Sequence, residues 1–302
     1  MIENFDQLLE RAKSIGPVTV AVAGAEDGTA LSAVVQAGKM GLASAILVGD
    51  AAAIERQFRE LGEERMDTLS IRQEAEEVQA AKRAVEAVRQ GEAQILLKGK
   101  TKTSTLLKAV LDASAGLRTG RLLSDVFVFE DPKRVGNKLV MITDGGVNLA
   151  PDLLQKIEIL QNAVEVAHAL GNSNPKVAIL SAVETVVENL QSTVDAAIMA
   201  KMNQRGQIKG CIVDGPLALD NAVSKEAAQA KGITSPVAGE ADILLCPTIE
   251  AANLLAKSTT YFAGFRLAHV IVGAQAPVLI PSRADSADAK LLSIALGMVV
   301  SR

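Results

Sequence analysis

Ala276-Pro277-Val278-Leu279-Ile280-Pro281-Ser282-Arg283-Ala284-Asp285-Ser286-Ala287-Asp288 closes one element near the end of the chain and opens another. The apolar run Val278-Leu279-Ile280 predicts a buried strand over 276–280. Pro281 stops it, and Lys290 to Val300 resumes as an apolar helix. A hydroxyl, a guanidinium and two carboxylates therefore gather at the C-terminal end of a strand. In open α/β sheets that is where ligands bind. The plainer alternative is that Ser282 and Asp285 cap the last helix and Arg283 is solvated.

Working outward, the same strand-then-helix rhythm fills the chain. Val18 to Ala23 (VTVAVA), Ala45 to Val48, Leu69 to Ile71 and Ile95 to Leu97 are short apolar runs separated by helical patterns, roughly Asp27 to Met40, Gly49 to Leu61 and Glu74 to Arg89. Runs apolar on both faces and alternating with helices predict a parallel sheet in a doubly wound α/β layer. Further strands are expected at Val126 to Phe129, Leu139 to Thr143, Val177 to Leu180, Cys211 to Val213, Asp242 to Cys246 and Val270 to Val272, with a helix from Glu184 to Met202. A chain of 302 residues favours two domains over one. The polar, Pro- and Gly-punctuated stretch Glu130 to Gly136 (EDPKRVG) marks the first crossing. The C-terminal segment is too short to stand alone and is expected to return to the first domain. The division expected is 1–132 plus 271–302 for domain I and 133–270 for domain II.

Composition removes several function classes. Aromatic residues are 2% of the chain, with no Trp, and the formal charge is −4, so neither stacking platforms nor a basic field supports nucleic-acid binding. Cys211 and Cys246 lie in apolar runs, which reads as two buried thiols and not as a disulfide framework or zinc site. No apolar run approaches membrane-spanning length, and Met1-Ile2-Glu3-Asn4-Phe5 lacks a basic leader pattern, so a cytoplasmic location is expected. No metal site is expected.

Several strand ends carry chemistry. Lys98-Gly99-Lys100-Thr101-Lys102-Thr103-Ser104-Thr105 feeds an apolar helix, and free N–H groups at a helix start beside Lys108 make a plausible phosphate cradle. It is not a P-loop, because Gln94 stands where that motif needs its first Gly. No GxGxxG follows the first strand. Asp144-Gly145-Gly146-Val147-Asn148 and Asp214-Gly215-Pro216-Leu217-Ala218-Leu219-Asp220 are two more such turns. Each Asp and Asn here fits an Asx-turn or a cap as well as a ligand. His168 and His269 lie in helix- and strand-like segments with no nucleophile elbow, which points to structural roles.

Together, Thr103-Ser104-Thr105-Leu106-Leu107-Lys108, Asp144 to Asn148, Asp214 to Asp220, Ala241 to Asn253 (ADILLCPTIEAAN) and Ser282-Arg283 resemble the phosphate acetyltransferase/butyryltransferase family, in family order over roughly residues 90–302. DGPLALD and the Pro-x-x-Glu-Ala-x-Asn piece carry most of the likeness. The resemblance implies a two-domain, three-layer α/β/α fold like that of isocitrate/isopropylmalate dehydrogenases, with the site in a cleft between domains. It implies exchange of CoA and phosphate on an acyl group, closer to the butyryl branch (butyryl-CoA, phosphate, butyryl phosphate) than to the acetyl one. CoA would be a substrate, with no tightly bound cofactor. The catalytic set would be Ser282 and Arg283 with Asp285 or Asp288 as base. Thr103, Ser104, Thr105, Lys108, Asp144, Asn148, Asp214, Pro216, Glu250 and Asn253 would bind substrate. Three positions depart from the family pattern: Lys108 stands for a common Arg, Ala284 for Gly, and Ala289 for the family's catalytic Asp, seven residues after the Ser.

An NAD-dependent dehydrogenase of the same fold would need an acidic metal-binding DxxxD set, which is missing, and a non-catalytic CoA-binding protein remains as the other class. A homo-oligomer is expected. The apolar helices Leu153 to Ala169 and Leu291 to Val300 fit either its interface or a core face.

Overall fold

The computed structural model describes residues 1–132 and 138–301. In chain order the elements are α1 (Phe5–Ile15), β1 (Val18–Ala23), α2 (Gly28–Lys39), β2 (Ala43–Gly49), α3 (Ala51–Leu61), β3 (Leu69–Gln73), α4 (Glu77–Arg89), β4 (Ile95–Lys98) and α5 (Thr103–Val110). Next come β5 (Ser124–Asp131), β6 (Lys138–Thr143), α6 (Leu153–Ala169), β7 (Lys176–Leu180), α7 (Gln191–Gln204), β8 (Ile212–Leu217), α8 (Leu219–Val223), α9 (Lys225–Ala230), β9 (Ile243–Leu245) and α10 (Ile249–Tyr261). The chain closes with β10 (Leu267–Val272), β11 (Val278–Leu279) and α11 (Ala287–Val300).

The chain divides into two compact units. A terminal unit holds Phe5–Arg121 and Leu267–Arg302, and an inserted unit holds Met1–Asn4 and Leu122–Arg266. The first crossing lies before β5, and not at 132, because β5 pairs antiparallel with β6 along its length, Val126 opposite Thr143 through Asp131 opposite Lys138. The hinge expected at 130–136 falls largely on residues 133–137, outside the described residues. The second crossing is at 266/267, before β10, and not at 270/271. Met1–Asn4 belongs to the inserted unit because Ile2 N–H donates to Leu170 O and Leu139 N–H to Glu3 O, each at 2.8 Å.

In the terminal unit the strands run β3-β2-β1-β4-β11-β10. All neighbours are parallel except β10 and β11. The chain steps from β1 outward to β2 and β3, then returns past β1 to β4. Right-handed crossovers therefore put α2 and α3 on one face and α4 on the other. α11 packs on α1, α2 and β10, and α5 packs on α4, which completes three layers. The inserted unit repeats the device in the order β5-β6-β9-β7-β8. Its steps β6 to β7 to β8 place α6 and α7 together, and the return to β9 places α8 and α9 opposite.

Both sheets are mixed, where the apolar runs predict parallel ones. A tight connection such as 273–277 cannot make a parallel crossover, so β11 turns back on β10, with Ile271 opposite Val278. β11 is also shorter than the expected 276–280, bounded by Pro277 and Pro281, which have no N–H for the ladder. The helix expected from Glu184 begins at Gln191, and α8 and α9 are separated at Ser224, whose side chain caps α9 through Ala227 N. α11 is buried on nearly all sides, from Ala289 through Val299, so it is a core helix and not an interface.

Candidate active site

The terminal unit brings the C-terminal ends of three adjacent parallel strands together. β4 lies between β1 and β11, with Ala23 opposite Lys98 and Leu279 opposite Leu97. Beyond the strands the backbones stay in contact: Gly99 N–H donates to Ala23 O at 2.9 Å and Lys100 N–H to Gly24 O at 2.8 Å. Thr101 Oγ1 donates to Ala23 O at 3.0 Å. This approach needs glycine twice. A Cβ at Gly99 would collide with Gly24 O, and Gly24 has φ +71°. The strand ends open into a cavity of about 410 Å³ whose lining mixes Glu26, Glu74 and Glu77 with Lys100, Lys102 and Arg283.

The turn after β11 is held by its own polar groups. Ser282 N–H donates to Asp285 Oδ2 at 2.8 Å, and Asp285 N–H to Ser282 O at 3.1 Å. The Asp285 carboxylate also faces the buried His269 ring, Oδ2 to Nε2 3.9 Å. Ser286, not Ser282, caps α11, through Ala289 N. Ser282 and Asp285 are partly buried, whereas Arg283 and Asp288 are exposed, Asp288 in the first turn of α11. Arg283 lines the cavity.

α5 starts without a side-chain cap of its own. Glu77, the first residue of α4, supplies one: Lys102 N–H donates to Glu77 Oε1 at 2.8 Å. That bond, helped by the Thr105 side chain, Lys102 and Arg283, holds the Glu77 carboxyl below its ordinary range. A carboxylate thus already stands at the helix start that the sequence offers as a phosphate cradle. Thr105 acts on Glu77 through a hydrogen bond and Arg283 through its charge. Thr103, Ser104 and Lys108 do not line the cavity, and Ser104 and Lys108 point to solvent.

Two lysines are buried beside these strand ends. Lys290 of α11 donates to Asp27 Oδ1 at 3.3 Å and to Thr29 Oγ1. Asp27 is the N-cap of α2 and accepts from Ala30 N at 2.8 Å. Burial pushes its carboxyl up, but those hydrogen bonds and Lys290 reverse this and hold it below its ordinary value. Lys98 is 5% exposed, and its Nζ makes one hydrogen bond among the described residues, to Gly99 O at 3.2 Å.

In the inserted unit, β6 and β9 are adjacent and parallel, so Asp144 and the start of α10 share an end of the sheet. Asp144 Oδ1 accepts from Gly146 N at 2.9 Å, Val147 N at 3.1 Å and Asp125 N at 3.2 Å. Its Oδ2 accepts from Asn148 N at 2.9 Å and from Asn148 Nδ2. Asn148 Nδ2 reaches Leu123 O at 2.8 Å, and Asn253 Nδ2 reaches Gly145 O at 2.9 Å. Asp144, Asn148 and Asn253 therefore form one knot that shapes the 144–148 loop. Burial, then the neighbouring Asp125, push the Asp144 carboxyl above its ordinary value. Asp214, Pro216 and Glu250 are not drawn into this knot. Asp214 and buried Pro216 lie on edge strand β8, three strand spacings from β6 and so roughly 14 Å away. Glu250 is exposed in the first turn of α10.

Sequence reasoning passed over Glu77, Asp27 and Lys290, and read Lys98 as one charge among several. A signal existed for the lysines: Lys98 closes the apolar run at 95–98 and Lys290 opens the apolar helix pattern at 290–300, so each charge adjoins a core element.

A family signature described as Phosphate acetyl/butaryl transferase matches residues 60–298. A phosphate butyryltransferase of Clostridium beijerinckii is 46% identical over 301 residues, 100% of this chain and 99% of that one. A phosphate acetyltransferase of Thermotoga maritima is 45% identical over 98% of this chain and 99% of its own. The crystal structure of a branched-chain phosphotransacylase from Enterococcus faecalis V583 matches with TM-score 0.82 at 35% identity, covering 94% of this chain and 99% of that one. A putative 4-hydroxythreonine-4-phosphate dehydrogenase from Salmonella typhimurium shares the fold alone, with TM-score 0.59, 12% identity and 94% and 99% of the two chains covered.

Proposed function

Because the chain belongs to the phosphate acetyl/butyryltransferase family, we infer that it is an acyltransferase that exchanges CoA and phosphate on a short-chain acyl group. Full-length identity of 46% to a phosphate butyryltransferase carries the reading, and it favours butyryl over acetyl. CoA enters as a substrate, and the enzyme is a cytoplasmic homo-oligomer. Exposed Leu254, Tyr261 and Phe262 on and beyond α10 support the oligomer.

In the acyl-phosphate-forming direction, phosphate oxygen attacks the thioester carbonyl, and CoA leaves as a thiolate that takes up a proton. In reverse the thiol loses that proton and attacks the acyl phosphate. The chemistry requires a group that polarises the carbonyl, a cation for phosphoryl and oxyanion charge, and a proton carrier. Arg283 has the planar, permanently charged fork suited to the second task. Ser282 beside it can donate to the carbonyl or phosphate oxygen. Asp285 is our choice of proton carrier over Asp288, because the Ser282 N–H fixes its carboxylate next to Ser282, whereas Asp288 is exposed. Asp144, Asn148 and Asn253 act by shaping their loop, since their polar groups are taken up by it.

Substituting Ser282→Ala and Arg283→Met tests the assignment. Phosphate-dependent thiol release should collapse, by ~10²–10³-fold for Arg283→Met, while CoA affinity by calorimetry changes far less. Unchanged turnover in both variants would remove the site from this turn.

A further inference from the structure

Glu250 is left unused by the candidate site, exposed in the first turn of α10. The helix buries only Ala252 and Ala256, which join the core of the inserted unit. At about 100° per residue, the opposite face carries Glu250, Leu254, Lys257, Ser258 and Tyr261, all within roughly 60° of Leu254. Leu254 is 70% exposed, Tyr261 62%, and Phe262, just past the helix end, 92%. Leu149 extends this strip beyond the other end of the helix: it is 72% exposed, and its carbonyl accepts from Ile249 N at 3.0 Å. The outer face of a surface helix is ordinarily polar, so a continuous apolar strip there marks a contact surface. Sequence reasoning offered α6 and α11 for that purpose, and α11 is a core helix.

The order of residues along the strip identifies what covers it. Glu250 lies four residues before Leu254 and Lys257 three after, roughly 6 Å and 4.5 Å along the axis. Neither enters an ion pair among the described residues; Lys257 Nζ lies 5.9 Å from the Tyr261 ring centre. Two copies of α10 lying antiparallel about a two-fold axis at Leu254 set Glu250 of each against Lys257 of the other. Leu254 then meets its own copy. Tyr261, roughly 10 Å from the axis, reaches the level of Leu149 at the start of the opposite helix. A parallel pairing would instead set Glu250 against Glu250 and Lys257 against Lys257, which repel. The strip is therefore its own complement in one orientation, which fits a second copy of this chain. Beside α10 the surface stays apolar, in a groove of about 860 Å³ lined by Leu219 and Val223 of α8, Leu255 of α10 and Phe265. That widens the contact towards the roughly 800 Å² per partner that a stable pair buries.

We propose that α10 is the contact between two copies of this chain, pairing antiparallel about an axis at Leu254 with Glu250 and Lys257 bridging across it. The proposal rests on the homo-oligomer reading above and assigns its surface. It also moves Glu250 from the substrate site to the interface.

Sedimentation velocity of the purified full chain and of three variants tests this. The unsubstituted chain should sediment at twice the chain mass or a multiple of it. Leu254→Asp sets two carboxylates face to face on the axis and should weaken pairing by about 100-fold or more. Far-ultraviolet circular dichroism should not change, because Leu254 is exposed within one chain. Glu250→Lys should weaken pairing by about 10- to 100-fold, and adding Lys257→Glu should restore it to within about threefold. Should Leu254→Asp prove unfolded, Phe262→Ser is held to the same loss of pairing. A chain that is monomeric without substitution removes the homo-oligomer reading and this surface with it. An oligomer whose dissociation constant is unmoved by Leu254→Asp keeps that reading and overturns α10 as its contact. A double variant that pairs no more tightly than Glu250→Lys overturns the antiparallel arrangement.

Discussion

Asp144 shows how a residue of the right type in the right loop can serve the loop itself. Its two oxygens take donors from Asp125, Gly146, Val147 and Asn148, so Asp144→Ala strands one buried and three half-buried N–H groups. The variant should lose about 3 kcal/mol of stability, read as a lower denaturant midpoint at unchanged m; a loss under about 0.5 kcal/mol would show that water replaces the carboxylate there. Nothing in the residue order separates this Asp from one that holds a ligand, because an Asx-turn and a ligand-facing turn use the same letters. The place of Ser282 and Arg283 just beyond a strand end was legible, because a proline-bounded apolar run precedes them. Glu77 was not, since its partner Lys102 lies 25 residues away and only the packing of α4 on α5 joins them. Lys98 was half legible: its charge is in the sequence, but its isolation follows from which strands flank β4.

Elements carry two further predictions. Lys156 of α6 and Asp195 of α7 form an ion pair of 2.6 Å with both side chains nearly closed to solvent. Removing one partner leaves a buried charge, so Lys156→Met should cost about 3–5 kcal/mol, and adding Asp195→Leu should recover most of it. A double variant no better than the single one would show that the helices need the ions themselves. At α2 the N-cap Asp27 has a carboxyl held below its ordinary value. Its folded form therefore binds a proton less readily than its unfolded form. The stability it adds is present above about pH 3.9 and is lost as pH falls through the lower folded value. Asp27→Asn keeps the capping oxygen and removes the charge. It should flatten the acid limb of a pH–stability curve, and identical limbs would contradict the pairing with Lys290. Helix starts of this kind were legible at Asp27 and Asp50, which both cap with their side chains, but not at Ser286, which caps α11 in the place the sequence offered to Ser282 or Asp285. Strand direction was not. An apolar run buried on both faces looks the same parallel or antiparallel, and only the length of the connection distinguishes β10–β11 from its neighbours.

For the whole molecule, the alternation of apolar runs and helices was enough to identify a doubly wound α/β chain whose C-terminal segment rejoins its first part. The boundaries of the units shifted because β5 pairs with β6 and so enters the inserted unit. Among the described residues no helix is long and apolar enough to cross a membrane. The activity proposed for this chain is phosphate-dependent acyl transfer with a preference for the longer chain. The most direct test is the rate at which inorganic phosphate releases CoA thiol from butyryl-CoA and from acetyl-CoA, measured side by side. Release from both should depend on phosphate and be faster from butyryl-CoA. Release that is faster from acetyl-CoA would contradict the preference, and no phosphate-dependent release from either would contradict the function itself.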